Sequence, residues 1–368
     1  MHFDLFWVLM GRTTYMFAPL YLIPFAYGLI SEDPTAGSFL VLSILTAVLG
    51  MVLGNMGRSH MRQLSIQEGM LFILGVWFLV ALLGMFPFHL VGLHISPVDT
   101  FFECISALTT TGITTLGTAL PPSLLLWRAL MSWFGGLIFI VILVTVFPVV
   151  SGCFGLDFTV RQDRLFSPLW NRMTRPMREM TFLYIVLTLM ATIIYLIAGD
   201  AIFPAIILAL FTISSGAGPM MDELPMIPQL MFGSGFVALL SALPLLTLWQ
   251  TLRRRNETQL TEHMELRAFF ILFLFTGTLL AIPSILSGTL PFLEALGQGY
   301  FYAISFLSTN GLMLESDMVF HPSSYLLLIL LAVVGGCMGA AAGGFRLSRV
   351  LILVSLSWTE MLHTLHPH

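Results

Sequence analysis

The chain has 368 residues, 57% of them hydrophobic and only 9% charged, with a mean hydropathy of +0.94. That balance excludes ordinary water-soluble and nucleic-acid-binding domains and points to a polytopic membrane protein. The net charge of −4 decides little, because the distribution of cations among loops carries the topology.

Apolar runs of roughly 18 to 25 residues are long enough to cross a ~30 Å hydrocarbon core as helices. Eight are expected: Thr13 to Ile30, Gly37 to Gly57, Met70 to Leu90, Leu124 to Val150, Thr181 to Ala198, Pro228 to Leu252, Leu266 to Leu286 and Ser324 to Leu356. The first lacks a basic n-region and an A-x-A site, so it is expected to remain as a helix. An acidic turn, Ser31-Glu32-Asp33-Pro34, joins the first two.

Between the third and fourth runs, the amphipathic segment Asp99 to Leu108 leads into Thr109-Thr110-Thr111-Gly112-Ile113-Thr114. Such a dip is tolerated in a membrane only where protein or a water-filled cavity covers the irregular backbone. Threonine hydroxyls and carbonyls are the oxygens that replace a cation's water shell. Glycine permits the backbone angles that aim them. Two further tracts repeat the pattern: Leu210 to Gly218, carrying Ser214-Ser215-Gly216, and Ser305 to Gly311, carrying Ser308-Thr309-Asn310-Gly311. The glycines lie 216 − 112 = 104 and 311 − 216 = 95 residues apart, a period that accommodates helix, re-entrant loop and helix.

All 15 basic residues are arginine, and those in the loops cluster at Arg58 and Arg62, at Arg161 to Arg178, at Arg253 to Arg267, and at Arg346 and Arg349. These clusters fall on one face, cytoplasmic by the positive-inside rule. Acids fall opposite; Asp99, Glu103, Glu315 and Asp317 form a candidate cation mouth that concentrates ions electrostatically, with solvated loops as the plainer reading. The last run carries Gly335, Gly336, Gly339, Gly343 and Gly344, which weaken a helix by about 1 kcal/mol each. A mid-membrane break is expected there; a small-residue packing face on an intact helix is the alternative.

Cys104, Cys153 and Cys337 read as unpaired thiols. No H-x-x-x-H or H-E-x-x-H set occurs, and Gly233-Ser234-Gly235 has no histidine on a neighbouring span to activate the serine. No enzyme activity is expected.

Leu64-Ser65-Ile66-Gln67-Glu68-Gly69, Asp99 to Gly112, Trp133-Phe134-Gly135-Gly136-Leu137, and the glycine-rich tract followed by Phe345-Arg346-Leu347-Ser348-Arg349-Val350 together resemble the TrkH/KtrB/HKT superfamily of potassium transporters, its bacterial TrkH branch most closely. The resemblance implies an all-α polytopic membrane protein. A leading helix pair (1–63) would precede pore repeats at 64–152, 180–252 and 266–368, with cytoplasmic linkers at 153–179 and 253–265.

By resemblance, Thr110, Thr111, Gly112, Ser214, Ser215, Gly216, Ser308, Thr309, Asn310 and Gly311 form a potassium filter, and the glycine tract is an intramembrane gating loop. Gly112 at the first site goes with potassium rather than sodium. The family implies a homodimer in the bacterial cytoplasmic membrane on a cytosolic, nucleotide-binding TrkA-like ring. The chain itself would bind no cofactor and would carry potassium as its substrate. Three departures stand out: Ala340 and Ala341 replace a usual Ser-Thr, Asn310 replaces threonine, and a fourth repeat does not fit before His368. A non-conducting scaffold or regulatory subunit is the competing expectation.

Overall fold

The structure, a computed structural model, describes residues 4–57, 66–90, 95–116, 120–145, 169–216, 227–245, 264–314 and 322–365. Two compact units divide the chain, and the division falls between Gly135 and Gly136 inside one helix.

The first unit opens with α1 (Asp4–Phe17), a 3-10 turn (Ala18–Tyr21) and α2 (Leu22–Ile30). Pro19, which has no N–H to donate, marks the tightened turn. The expected first span thus begins earlier than Thr13: the helix runs on past Arg12, which stays exposed. Then come α3 (Ala36–Met56), α4 (Ile66–Leu90), α5 (Pro97–Leu108) and the first part of α6 (Pro122–Thr145). α1 packs on α3 through glycines: a Cβ on Gly50 would lie 2.6 Å from the Tyr15 amide nitrogen, the close approach that small residues allow. Pro87 lies inside α4 and leaves the Leu83 carbonyl without its helical donor. The buried Tyr21 hydroxyl supplies one at 2.8 Å. Tyr21 in turn stacks on Trp127 at 4.4 Å between ring centres, and the Trp127 indole donates to the Gly84 carbonyl at 3.0 Å.

The second unit holds the remainder of α6, α7 (Leu169–Ile197), α8 (Ile202–Ser214), α9 (Pro228–Ala242), α10 (Met264–Ser287), α11 (Phe292–Leu307), α12 (Pro322–Val334) and α13 (Leu347–Leu365). α7 packs on α8, α10 on α11, and α9 against both α8 and α11.

Among the described residues, six helical stretches are long and apolar enough to cross a membrane: Phe6–Ile30, Ala36–Met56, Leu71–Leu90, Pro122–Ile142, Arg178–Ile197 and Met264–Ser287. The other two expected spans differ. The first of them has a helix over Pro228–Ala242 that leaves helical geometry at Leu243, because a residue before proline is pushed toward extended angles; residues 246–252 lie outside the described residues. The second is interrupted between Val334 and Leu347.

α5, α8 and α11 have 12, 13 and 16 residues. At about 1.5 Å per residue none reaches across a ~30 Å core. Each ends in one of the polar loops the sequence singled out.

Candidate functional site

α5 starts cleanly. Ser96 caps it by accepting from the Val98 amide at 3.2 Å, Pro97 occupies the first turn, and Asp99 lies near the positive end of the helix. Its end is unusual. Thr110 takes a left-handed φ of 56° and Gly112 one of 76°. The Thr110 amide donates to the Ala107 carbonyl at 2.9 Å, and the Thr111 and Gly112 amides both donate to the Ser106 carbonyl at 2.9 and 3.3 Å. Peptide units are planar and trans, so each N–H that turns back to α5 sends the preceding C=O the other way. The carbonyls of Thr109, Thr110 and Thr111 therefore point away from the helix, free to meet a ligand.

The same turn closes α11. Thr309 has φ 56° and Gly311 φ 66°. The Asn310 and Gly311 amides donate to the Ser305 carbonyl at 2.9 and 3.3 Å. Even the support repeats: Ser106 Oγ donates to the Ile113 carbonyl, and Ser305 Oγ to the Leu312 carbonyl at 2.8 Å. After α8 the left-handed residue is Ser215, φ 55°. Its amide donates to the Thr212 carbonyl at 3.2 Å, and the Gly216 amide to the Phe211 carbonyl at 3.0 Å. This register sets Gly216 level with Thr111 and Asn310. The place of Gly112 and Gly311 falls to Ala217, outside the described residues.

The acids are placed differently from one another. Asp99 is half-buried in the first turn of α5. Glu103 is fully enclosed at 0% exposure. Its Oε2 pairs with Arg128 Nε at 3.0 Å. Its Oε1 accepts from the Thr114 hydroxyl at 2.6 Å and from the Thr115 and Leu116 amides. It lies in the protein interior rather than at an open mouth. Glu315 and Asp317 lie outside the described residues.

Asn310 is buried. Its amide donates to Ser308 Oγ at 2.9 Å and to Ser241 Oγ at 3.1 Å. Ser241, near the end of α9, also lies 3.5 Å from Ser215 Oγ. One serine thus touches both loops of the second unit.

The glycine-rich interruption docks on the third loop: the Gly343 amide donates to Thr309 Oγ1 at 2.7 Å. Its other ties are the Cys337 amide to the Ala242 carbonyl at 3.1 Å and the Met338 amide to Glu265 Oε1 at 2.7 Å. Gly335 (φ 72°) and Gly344 (φ 84°) cross at its base, where a Cβ on Gly335 would overlap the Gly343 carbonyl. Gly339 also has positive φ; Gly336 does not and leans on Ala342. Arg346 closes the excursion. Its Nη1 donates to the Cys337 carbonyl at 3.2 Å, and its guanidinium lies 5.4 Å from the centre of the Phe139 ring.

No family model matches the chain. It aligns over its whole length with the Trk system potassium uptake protein TrkH of Escherichia coli K12, 26% identical over 391 residues and covering 78% of that protein. It is 28% identical over 319 residues to TrkG of the same organism, covering 83% of this chain and 64% of TrkG. The crystal structure of the potassium transporter TrkH from Vibrio parahaemolyticus superposes with a TM-score of 0.90 at 24% identity, over 100% of this chain and 78% of that one. The chain is thus similar along its whole length to Trk-type potassium uptake proteins.

Its all-helical, multi-pass architecture is the TrkH fold. In this chain, sequence reasoning singled out the loop residues but missed those that hold them: Arg128 as Glu103's partner, Tyr302, Ser241, Glu265 and Arg346. One signal was present. Glu103 and Tyr302 stand nine residues before their glycines (112 − 103 and 311 − 302), and Ser106 and Ser305 six.

Proposed function

We propose that the chain carries potassium ions into the cell across the bacterial cytoplasmic membrane through a glycine-containing filter. The observation that carries this reading is the repeated turn: three short helices end on a left-handed residue, with backbone amides folded back and carbonyls released. Relatives named as potassium uptake proteins support it. In the reading, oxygens around Thr110 to Gly112, Ser214 to Gly216 and Ser308 to Gly311 strip the ion's water. Such sites must hold the ion firmly enough to admit it and weakly enough to release it. The acids, Asp99 with Glu315 and Asp317, draw cations toward the loops, and the interruption at Gly335 to Gly344 acts as the gate. The arginine-rich linkers face the cytoplasm, where a nucleotide-binding ring docks on a homodimer. No chemical step and no resident cofactor is involved; potassium is the cargo.

Potassium or rubidium uptake into cells lacking their own potassium uptake systems tests this. Saturable uptake is expected. Absence of flux with or without a cytosolic partner, despite membrane expression, would overturn the reading in favour of a non-conducting scaffold. Gly112→Ser adds a Cβ at φ 76°, costing about 1–2 kcal/mol of loop geometry. It is expected to lower the preference for potassium over sodium.

A further inference from the structure

We propose that Glu103 is the positioning residue of the first loop, a carboxylate strap that sets the returning strand after Gly112 and thereby the ion preference of that loop. The inference rests on the filter reading above. Glu103 Oε1 gathers four donors from the returning segment: the Thr114 hydroxyl at 2.6 Å, the Thr115 amide, the Thr115 hydroxyl at 3.3 Å and the Leu116 amide at 3.3 Å. Its Oε2 is spent on Arg128 Nε at 3.0 Å, and both side chains are buried, at 0% and 1% exposure. A buried carboxylate is costly unless paired and hydrogen-bonded, and here both oxygens are engaged. Arg128 braces the strap from α6. Its Nη1 and Nη2 make no hydrogen bond among the described residues, so its one bond is the one to Glu103.

The third loop solves the same problem without charge. Tyr302, at the equivalent offset, lies with its hydroxyl 3.4 Å from the Leu314 amide and 3.5 Å from the Leu314 carbonyl. Phe211, Thr212 and Ser215 fix the register after α8, and in that register Leu208 stands where Glu103 stands, with no side-chain donor or acceptor. Among the described residues, a charged strap is seen at the first loop and not at the third. Charge-assisted bonds are shorter and about twice as strong as neutral ones, so this loop is held more firmly after its glycine than the third.

The test uses the full-length chain in two measurements. Glu103→Gln keeps the shape and loses the charge. Thr114→Val removes one donor and leaves the ion pair intact, and it serves if Glu103→Gln fails to fold. At equal membrane expression, Glu103→Gln is expected to lower the potassium-over-sodium preference of uptake by about tenfold, the scale of one lost charge-assisted hydrogen bond. Thr114→Val should act more weakly in the same direction. Hydrogen exchange by mass spectrometry reads the geometry without needing transport. Amides of Thr115 and Leu116 should exchange faster in both variants, while the peptide over 305–314 stays unchanged. Unaltered exchange at 112–116 overturns the strap, and so does a rise spread evenly over the protein. Should the parent chain carry no potassium while the local exchange effect holds, the transport reading fails and the strap stands.

Discussion

Asp33 shows how a single carboxylate can tie a turn to a distant helix. It accepts from the Thr35 amide at 3.0 Å and the Thr35 hydroxyl at 2.8 Å, and from the hydroxyl of Ser123, in the first turn of α6, at 2.5 Å. Partial burial pushes its pKa up, but the bonds from Ser123 and Thr35 outweigh this and hold it below 3.8. A lowered folded-state value means stability that is present above the unfolded pKa and lost as pH falls through the folded one. The parent protein should therefore unfold at a higher temperature than Asp33→Asn near pH 7, with the gap closing as pH drops below about 4; thermal melts in detergent across pH 3 to 7 check it. Residue identity alone made the loops legible: hydroxyls followed by glycine in Thr109 to Gly112 and Ser308 to Gly311 foretold the turns. It could not show that Glu103 is enclosed, because an acid in a loop-proximal helix reads the same whether it faces water or Arg128. Nor could it reveal that Ser215, rather than Gly216, takes the left-handed place after α8. Counting glycines assumes the glycine marks the turn, and here a serine tolerates the strain.

At the scale of elements, the break between α12 and α13 has a defined internal logic. The Val333 and Val334 carbonyls would ordinarily receive the amides of Cys337 and Met338. They receive those of Phe345 and Arg346 instead, at 2.7 and 2.8 Å. The chain therefore leaves the helix and returns 345 − 337 = 8 residues later in the same hydrogen-bond register. Deleting Cys337 to Gly344 should join α12 to α13 as one continuous helix without disturbing either. The shortened protein is expected to reach the membrane and, on the gating reading, to take up potassium faster and without regulation by a cytosolic partner. Uptake equal to or slower than the parent at equal expression would count against a gate there. Glycine density foretold an interruption, since five glycines in ten positions cannot sustain a helix cheaply. The in-register return was invisible, because it depends on which carbonyls are recaptured. The Pro87 gap filled by Tyr21 was hidden for the same reason: donor and acceptor lie 62 residues apart.

For the whole molecule, hydropathy located the spanning helices well, and length discriminated poorly between a crossing helix and a broken one. If the arginine-rich connections face the cytoplasm, as the positive-inside rule expects, a direct forecast follows. In a chain whose own cysteines are replaced by alanine, a cysteine at Thr289, between α10 and α11, should react with an impermeant maleimide added to intact cells. One at Thr364, near the end of α13, should react only after permeabilisation. The reverse pattern would invert the topology.

The returning helix bears on mechanics as well. With Phe345 and Arg346 closing its base, the eight-residue excursion is a flap on a fixed hinge. α12 and α13 keep their own bonds whatever the flap does. Among the described residues, its hydrogen bonds to the rest of the protein are the amide bonds of Cys337, Met338 and Gly343 and the Arg346 to Cys337 contact, while Cys337, Ala340 and Ala342 are buried as well. At about 0.5–1.5 kcal/mol net per bond, the hydrogen-bond part of the cost of swinging it is a few kcal/mol. Unwinding a transmembrane helix to achieve the same displacement would cost several times more. On the gating reading, a change of shape would be confined to this segment, with α12 and α13 left joined in register around it.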